Sequence, residues 1–279
     1  MMKNLLVLTD FTELSDYALQ LAAKVARKTN AALHTLHIVG VPGDAVFDKQ
    51  GELHSSNDFD ITAYQSEKTF AEQTIQKWLS QCECEATSTV RYGQVVDAAL
   101  AYIQEANIDM IVMGTREIHG LKEMVSGSTA ERLVRFAPVP VLSLKCDRSN
   151  MEIQDILLAC DFGEAQEQEL SAIKELQAAF GATIHLLRVN TPRQFLPTRE
   201  TMDQMQAYVK LNTLENVKYH AYCDHTVEEG IHNFCVDHGI DFIAMGNHGR
   251  KGLSHWLRKS VSEDMVNHVF QPILTYRVD

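Results

Sequence analysis

The chain has 279 residues, 45% hydrophobic and 22% charged, with a net charge of -12 from 37 acids and 25 bases. This is the composition of a globular protein with room for two domains, and it excludes a disordered chain. The acidic balance argues against nucleic acid and anionic membrane as partners, and no apolar run approaches the ~18 residues of a membrane span, so a cytoplasmic location is expected.

Taken in chain order, Lys3 to Thr9 is a short apolar run closed by Asp10, which reads as a buried strand. Thr12 is the expected cap of the next helix, whose apolar face is Leu14, Ala18, Leu21, Ala22 and Val25. Ala32 to Val39 is the second strand. A longer polar segment with Pro42, Gly43 and Gly51 leads to a helix from Ala63 to Gln81. Ala86 to Tyr92 is the third strand, Asp97 to Glu105 a helix and Ile108 to Met113 the fourth strand. Ser128 to Phe136 is the last helix of this half, and Val139 to Leu144 its last strand.

The order then repeats. Asn4-Leu-Leu-Val-Leu-Thr-Asp10-Phe11 returns at an offset of 151 as Asp155-Ile-Leu-Leu-Ala-Cys-Asp161-Phe162. Asp109-Met-Ile-Val-Met-Gly-Thr returns at an offset of 132 as Asp241-Phe-Ile-Ala-Met-Gly-Asn. The second copy is thus 19 residues shorter, mostly after its second strand, where a surface connection tolerates the change. Its strands are Ile156–Cys160, Thr183–Val189, Val217–Tyr222, Ile240–Met245 and Ile273–Val278, with Ala172, Ile173, Leu176 and Phe180 on a helical face. A polar linker, Cys146-Asp-Arg-Ser-Asn150, joins domains over 1–148 and 149–279.

Alternating strands and helices specify an α/β fold of two repeated Rossmann-like domains, each a five-stranded parallel sheet covered on both faces. Ligands of such sheets bind outside the carboxyl ends of the strands where the strand order reverses, here at the tips of strands one and four. A glycine-bearing segment follows strand four in both halves. Glycine permits a bend or the approach of main-chain N–H groups to a phosphate. Ser128 and Ser260 sit at helix starts, where the dipole favours an anion; Ser128-x-x-Glu131 and Ser260-x-x-Glu263 are also capping boxes that serve helix stability alone.

The strand-Asp-Phe opening, the Met-Gly turn, the Gly-Ser-Thr-Ala-Glu helix start and the Ala137-Pro-Val-Pro-Val-Leu ending resemble the universal stress protein family, over essentially the whole chain as two tandem domains. In that family, nucleotide-binding members carry Gly, two residues, Gly, nine residues, then Gly and Ser or Thr. They hold ATP with adenine near the first two strand ends. The resemblance therefore implies that Asp10 and Asp161 contact adenosine and that the backbone at Ile38 and Val189 touches adenine. It places phosphates on Gly114, Gly127, Ser128 and Thr129 in the first half, and on Gly246, Gly249, Ser260 and Val261 in the second. Glu117 stands where the family's second glycine belongs in the first half, and Lys259 replaces the third in the second. The stretch from Asn247 to Ser260 has four bases and no acid, which suits a triphosphate. The first half keeps the glycine beside its helix start and is expected to be the better site, because backbone shape is harder to replace than charge.

The expected function is an adenine-nucleotide-binding regulator of the stress response, with Mg2+ left open and the protein partner unknown. The alternative is a scaffold that binds no nucleotide and acts through protein contacts. A slow ATPase is a third reading for which no positioned base is evident. The resemblance implies pairing through the final strands, giving an intrachain pseudo-dimer that leaves a homodimer open. Metal binding is not expected: Cys82 and Cys84 lack a second pair, and His220, His225, His232, His238, His248, His255 and His268 lack zinc spacing and read as surface residues. His34 and His185, related by the offset of 151, read as packing residues.

Overall fold

A computed structural model describes residues 1–43, 45–48, 51–54, 61–81, 85–115, 129–148, 151–159, 162, 169–247 and 271–278. The first half runs β1 (Asn4–Leu8), α1 (Glu13–Thr29), β2 (Ala32–Gly40), β3 (Val46–Phe47), β4 (Leu53–His54), α2 (Thr62–Gln81), β5 (Thr87–Gly93), α3 (Val95–Glu105), β6 (Met110–Gly114), α4 (Thr129–Phe136) and β7 (Val141–Leu144). The second runs β8 (Asp155–Ala159), α5 (Ser171–Phe180), β9 (Thr183–Asn190), α6 (Thr198–Asn212), β10 (Val217–Cys223), α7 (Val227–His238), β11 (Phe242–Asn247) and β12 (Ile273–Arg277).

The main strands form one sheet in the order β10-β9-β8-β11-β12-β7-β6-β1-β2-β5. Pairing within each half is parallel, while β12 and β7 are antiparallel, with Leu274 opposite Leu142. The final strands therefore close the two half-sheets against each other about a pseudo-twofold axis at that leucine pair. The seam is reciprocal: the Ser143 hydroxyl donates to the Ile273 carbonyl at 3.3 Å, and the Thr275 hydroxyl to the Val141 carbonyl at 3.2 Å.

Both faces of the sheet are covered, which is why its strands read as continuous apolar runs. Leu5 and Val7 turn into a core shared by both halves, with Ala18, Leu21 and Val25 of α1, Leu176 of α5 and Met205 and Tyr208 of α6. Leu6 and Leu8 turn the other way, under α3 and α4, and α7 packs on the equivalent face of the second half. Polar contacts also cross between the halves: Lys24 Nζ lies 2.6 Å from both the Met151 carbonyl and the Glu152 carboxylate.

Three local features differ from expectation. Thr12 occupies the N-cap position of α1, yet its side chain makes no cap hydrogen bond, because its hydroxyl donates to Asp10 Oδ1 instead. The last strand of the first half starts at Val141 rather than Val139, since Pro138 and Pro140 carry no N–H for a ladder. The polar segment after β2 contains a small hairpin, β3 paired with β4, which the hydrophobic pattern was too short to signal.

The repeated aspartates before strand four have a structural role. Asp109 Oδ2 accepts the N–H groups of Lys3 and Asn4 at 2.6 and 2.9 Å, and Asp241 Oδ2 accepts those of Gln154 and Asp155 at 3.0 and 3.2 Å. Each staples the start of strand one to that of strand four. Asp109→Ala is expected to destabilise the protein by about 1–3 kcal/mol in urea denaturation, the usual loss for charge-assisted bonds, with Asp109→Asn milder. An unchanged midpoint in Asp109→Ala would remove the staple's importance.

Candidate functional site

In the first half the strand order reverses between β1 and β6, which pair in parallel from Leu5 opposite Met110 to Leu8 opposite Met113. The register of β1 on β2 ends at Leu8 opposite Leu36, with one more bond from the Thr9 N–H to the Leu36 carbonyl at 3.1 Å. Strand β2 runs four residues further, paired there with β5. Backbone groups two residues apart in a strand point the same way. The peptide edge of Ile38 thus faces the side that β1 has already left, at the mouth of the crevice. Val189 holds the same place in the second half, two residues past the last β8–β9 pair, Ala159 opposite Leu187.

Asp10 lies at the tip of β1. Its Oδ1 accepts from the Thr12 N–H at 3.1 Å, the Thr12 hydroxyl at 2.5 Å and the Ser15 hydroxyl at 2.8 Å, and Ser15 Oγ in turn accepts the Asp10 N–H at 3.2 Å. This exposed carboxylate fixes the turn into α1. Ser15, 4% exposed, is a site-shaping residue that sequence reasoning missed; its position among apolar helix residues was the available signal.

The next residue, Phe11, has φ 59, a left-handed conformation that costs a bulky residue energy. It is held there by the Thr9 hydroxyl, which accepts its N–H at 2.9 Å, and by aromatic contact. Its ring stacks on His37 at 4.4 Å and meets Trp78 of α2 edge-on at 6.2 Å. His37 Nδ1 lies 2.8 Å from the Thr9 carbonyl, so that nitrogen is the donor. Phe162 meets Tyr208 of α6 edge-on at 5.3 Å, so the phenylalanine of each Asp-Phe motif contacts an aromatic ring of the helix after strand two.

Strand β6 ends at Gly114. A Cβ there would lie 2.6 Å from both Cβ and the carbonyl oxygen of Leu14, so glycine lets the first turn of α1 approach the crevice wall. A Cβ at Gly246 would meet Val278 Cγ2 at 2.6 Å, a side-chain methyl rather than backbone. Both glycines thus have a packing reason independent of any ligand. Thr115 follows Gly114; it is 6% exposed, and its hydroxyl finds no hydrogen-bond partner among the described residues. Thr129 opens α4.

Of the residues assigned to nucleotide contact, Asp10 follows β1, Ile38 lies in β2 and Gly114 ends β6, three neighbouring strands, while Thr129 opens α4; Val189 and Gly246 hold corresponding positions in the second half. Gly127, Ser128, Asp161, Gly249, Ser260 and Val261 lie outside the described residues, as do Glu117 and Lys259.

The two halves differ beside the crevice. In the first, Val41, Leu53 and Tyr92 bury the ends of β2 and β5 under the β3–β4 hairpin. In the second, which lacks that insertion, an open depression of about 580 Å³ lies at the ends of β9 and β10, lined by Asn190, Pro192, Phe195, Cys223 and His225. Cys223 and Cys235 are free thiols. No group of His, Cys, Asp and Glu suited to a metal ion occurs among the described residues, and no described helix is long and apolar enough to cross a membrane.

Comparison with known proteins supplies the remaining context. The model of the Universal stress protein family matches residues 1–145 and again 152–277. Universal stress protein Slr1230 of Synechocystis sp. is 24% identical, covering 99% of this chain and all of that protein. Universal stress protein MJ0531 of Methanocaldococcus jannaschii is 27% identical over 51% of this chain and 82% of its own length. Among solved structures, a universal stress protein from Archaeoglobus fulgidus superposes with a TM-score of 0.71 at 18% identity, over 98% of this chain and 96% of that one.

Proposed function

We propose that this chain, which belongs to the universal stress protein family as two tandem copies, binds ATP or another adenine nucleotide as a cytoplasmic regulator of the stress response. The two domains are assigned to 1–148 and 149–279. The observation that carries the reading is the crevice between β1 and β6, where the Ile38 peptide edge is free of β1, Gly114 admits α1 to the wall and the Thr115 hydroxyl has no partner among the described residues. In this reading adenine lies along Ile38, and the phosphates lie on Gly114, Gly127, Ser128 and Thr129. Asp161, Val189, Gly246, Gly249, Ser260 and Val261 form the second, weaker site. No residue is assigned a catalytic role.

A second reading is favoured by one specific observation: Asp10 already has its Oδ1 engaged by Thr12 and Ser15, a role that needs no ligand. A scaffold acting through protein contacts would keep that turn unchanged.

Calorimetric titration with ATP distinguishes the two. The nucleotide reading expects saturable binding near one site, weakened at least about tenfold by Gly127→Val and little affected by Ser260→Ala, as loss of close backbone donors requires. Absence of saturable heat at millimolar ATP would support the scaffold.

A further inference from the structure

Toward the amino-terminal ends of the strands in the second half, away from the crevice, four side chains form a continuous array. His185, 4% exposed, places Nε2 2.7 Å from Asp155 Oδ1 and Nδ1 3.1 Å from His220 Nε2. The His185 and His220 rings are 4° from parallel. His220 lies edge-on to His238 at 5.4 Å, and His238 stacks on Phe234 at 4.0 Å while its Nδ1 donates to the Phe234 carbonyl at 3.1 Å. The array thus joins β8, β9, β10 and α7, running from a buried imidazole to the exposed His238. His220 is half-buried inside it, not the surface residue its sequence context suggests.

The first half builds the same corner from different chemistry. His34 occupies the place of His185, but its Nδ1 partner is the Tyr102 hydroxyl at 3.1 Å, which also lies 3.3 Å from the Thr89 hydroxyl. Thr89 and His220 are ladder equivalents, opposite Leu36 and Leu187. Tyr102 and Phe234 are the eighth residues of α3 and α7. Asn4 and Asp155 both open strand one. The second copy therefore has two titratable rings where the first has one ring and two hydroxyls.

We propose that the Asp155–His185–His220–His238 array is an acid-sensitive latch that holds the edge strand β10 and helix α7 on the sheet and releases them as the array takes up protons. Asp155 accepts from His185 Nε2–H, so the neutral array is satisfied when His220 Nε2–H donates to His185 Nδ1. A first proton can reverse that bond; a second sets N–H against N–H and breaks it. The titratable and charged groups acting on His220 are His185 from β9, Lys218 on its own strand and His238 from α7, with Asp155 from β8 reaching it through His185. Burial comes first, followed by His185, His238 and Lys218, in pushing the His220 imidazole down to about 4. Burial also lowers His34, whose neighbouring ring is the Tyr102 phenol rather than a second imidazole. Because the folded value of His220 lies below the unfolded one, its contribution to stability is complete above the unfolded value and is lost as pH falls toward 4.

Amide hydrogen exchange, corrected for intrinsic rates, tests this with the first half as internal control. Between about pH 7 and pH 5, protection in β10 and α7 should fall on the order of tenfold more than in β5 and α3. The double variant His220→Thr with Phe234→Tyr, which installs the first half's residues at two of these positions, should cut that difference to about twofold or less. Equal losses in the two halves, or an unchanged difference in the double variant, would overturn the latch. If that variant fails to fold, nuclear magnetic resonance titration of His220 in the native chain decides: a midpoint near 4 supports it, and the ordinary histidine value of about 6.5 refutes it.

Discussion

Leu142→Asp is expected to abolish the folding of both halves, not only of the half that carries it. Leu142 and Leu274 are each 0% exposed and face one another at the pseudo-twofold axis, between the Ser143 and Thr275 hydroxyl bonds. Both belong to the core that runs continuously under α1, α5 and α6. A carboxylate there meets apolar side chains and already-paired backbone, a cost of several kcal/mol against a domain stability of about 5–15 kcal/mol. The milder Leu142→Ala is expected to cost about 2–5 kcal/mol and to move a single urea transition to lower denaturant as one unit. Two separated transitions, with one left at its original midpoint, would show that the seam does not couple the halves.

Gly114→Ala carries the second large effect. The added methyl would sit 2.6 Å from the Leu14 carbonyl oxygen and 2.7 Å from its carbonyl carbon, backbone atoms in the first turn of α1 that cannot rotate away. The helix start must move, and with it the Asp10–Ser15 turn. Overpacking of this kind costs about 1–3 kcal/mol, and α1 carries much of the shared core, so the upper end of that range is expected. Among the described residues, the clash of Gly246→Ala is with a valine methyl that a rotamer change can relieve, and it should cost about 1 kcal/mol or less. Parallel thermal melts of the two variants measure the contrast. Equal losses would mean that α1 yields as readily as a side chain.

Much of the fold was legible because the core strands are apolar throughout: the unbroken runs Leu5 to Leu8 and Ile156 to Leu158 by themselves announce burial on both faces. The duplicated motifs then marked the repeat, and the family resemblance implied the seam between the final strands. Less visible were effects that depend on which side chains meet across the sheet. Nothing local to Thr12 reveals that its hydroxyl is drawn to Asp10, and nothing local to His220 reveals His185 on the neighbouring strand. The glycines after strand four suggested phosphate contact by their type and position, while Leu14 and Val278, distant in sequence, impose the packing requirement on Gly114 and Gly246. At the candidate site, Asp10 was singled out by the strand tip it closes and by the family resemblance, and Ser15 was missed although its helical spacing from Ala18, Leu19 and Ala22 sets it on the buried face of α1.

The central claim is that an adenine nucleotide lies along Ile38 in the crevice between β1 and β6. Backbone amide resonances of the 15N-labelled protein, followed through an ATP titration, test it directly. The account predicts saturable shifts at Ile38, Gly114 and Thr115, with smaller ones at Val189 and Gly246. Resonances of all five that stay fixed through millimolar ATP would contradict it.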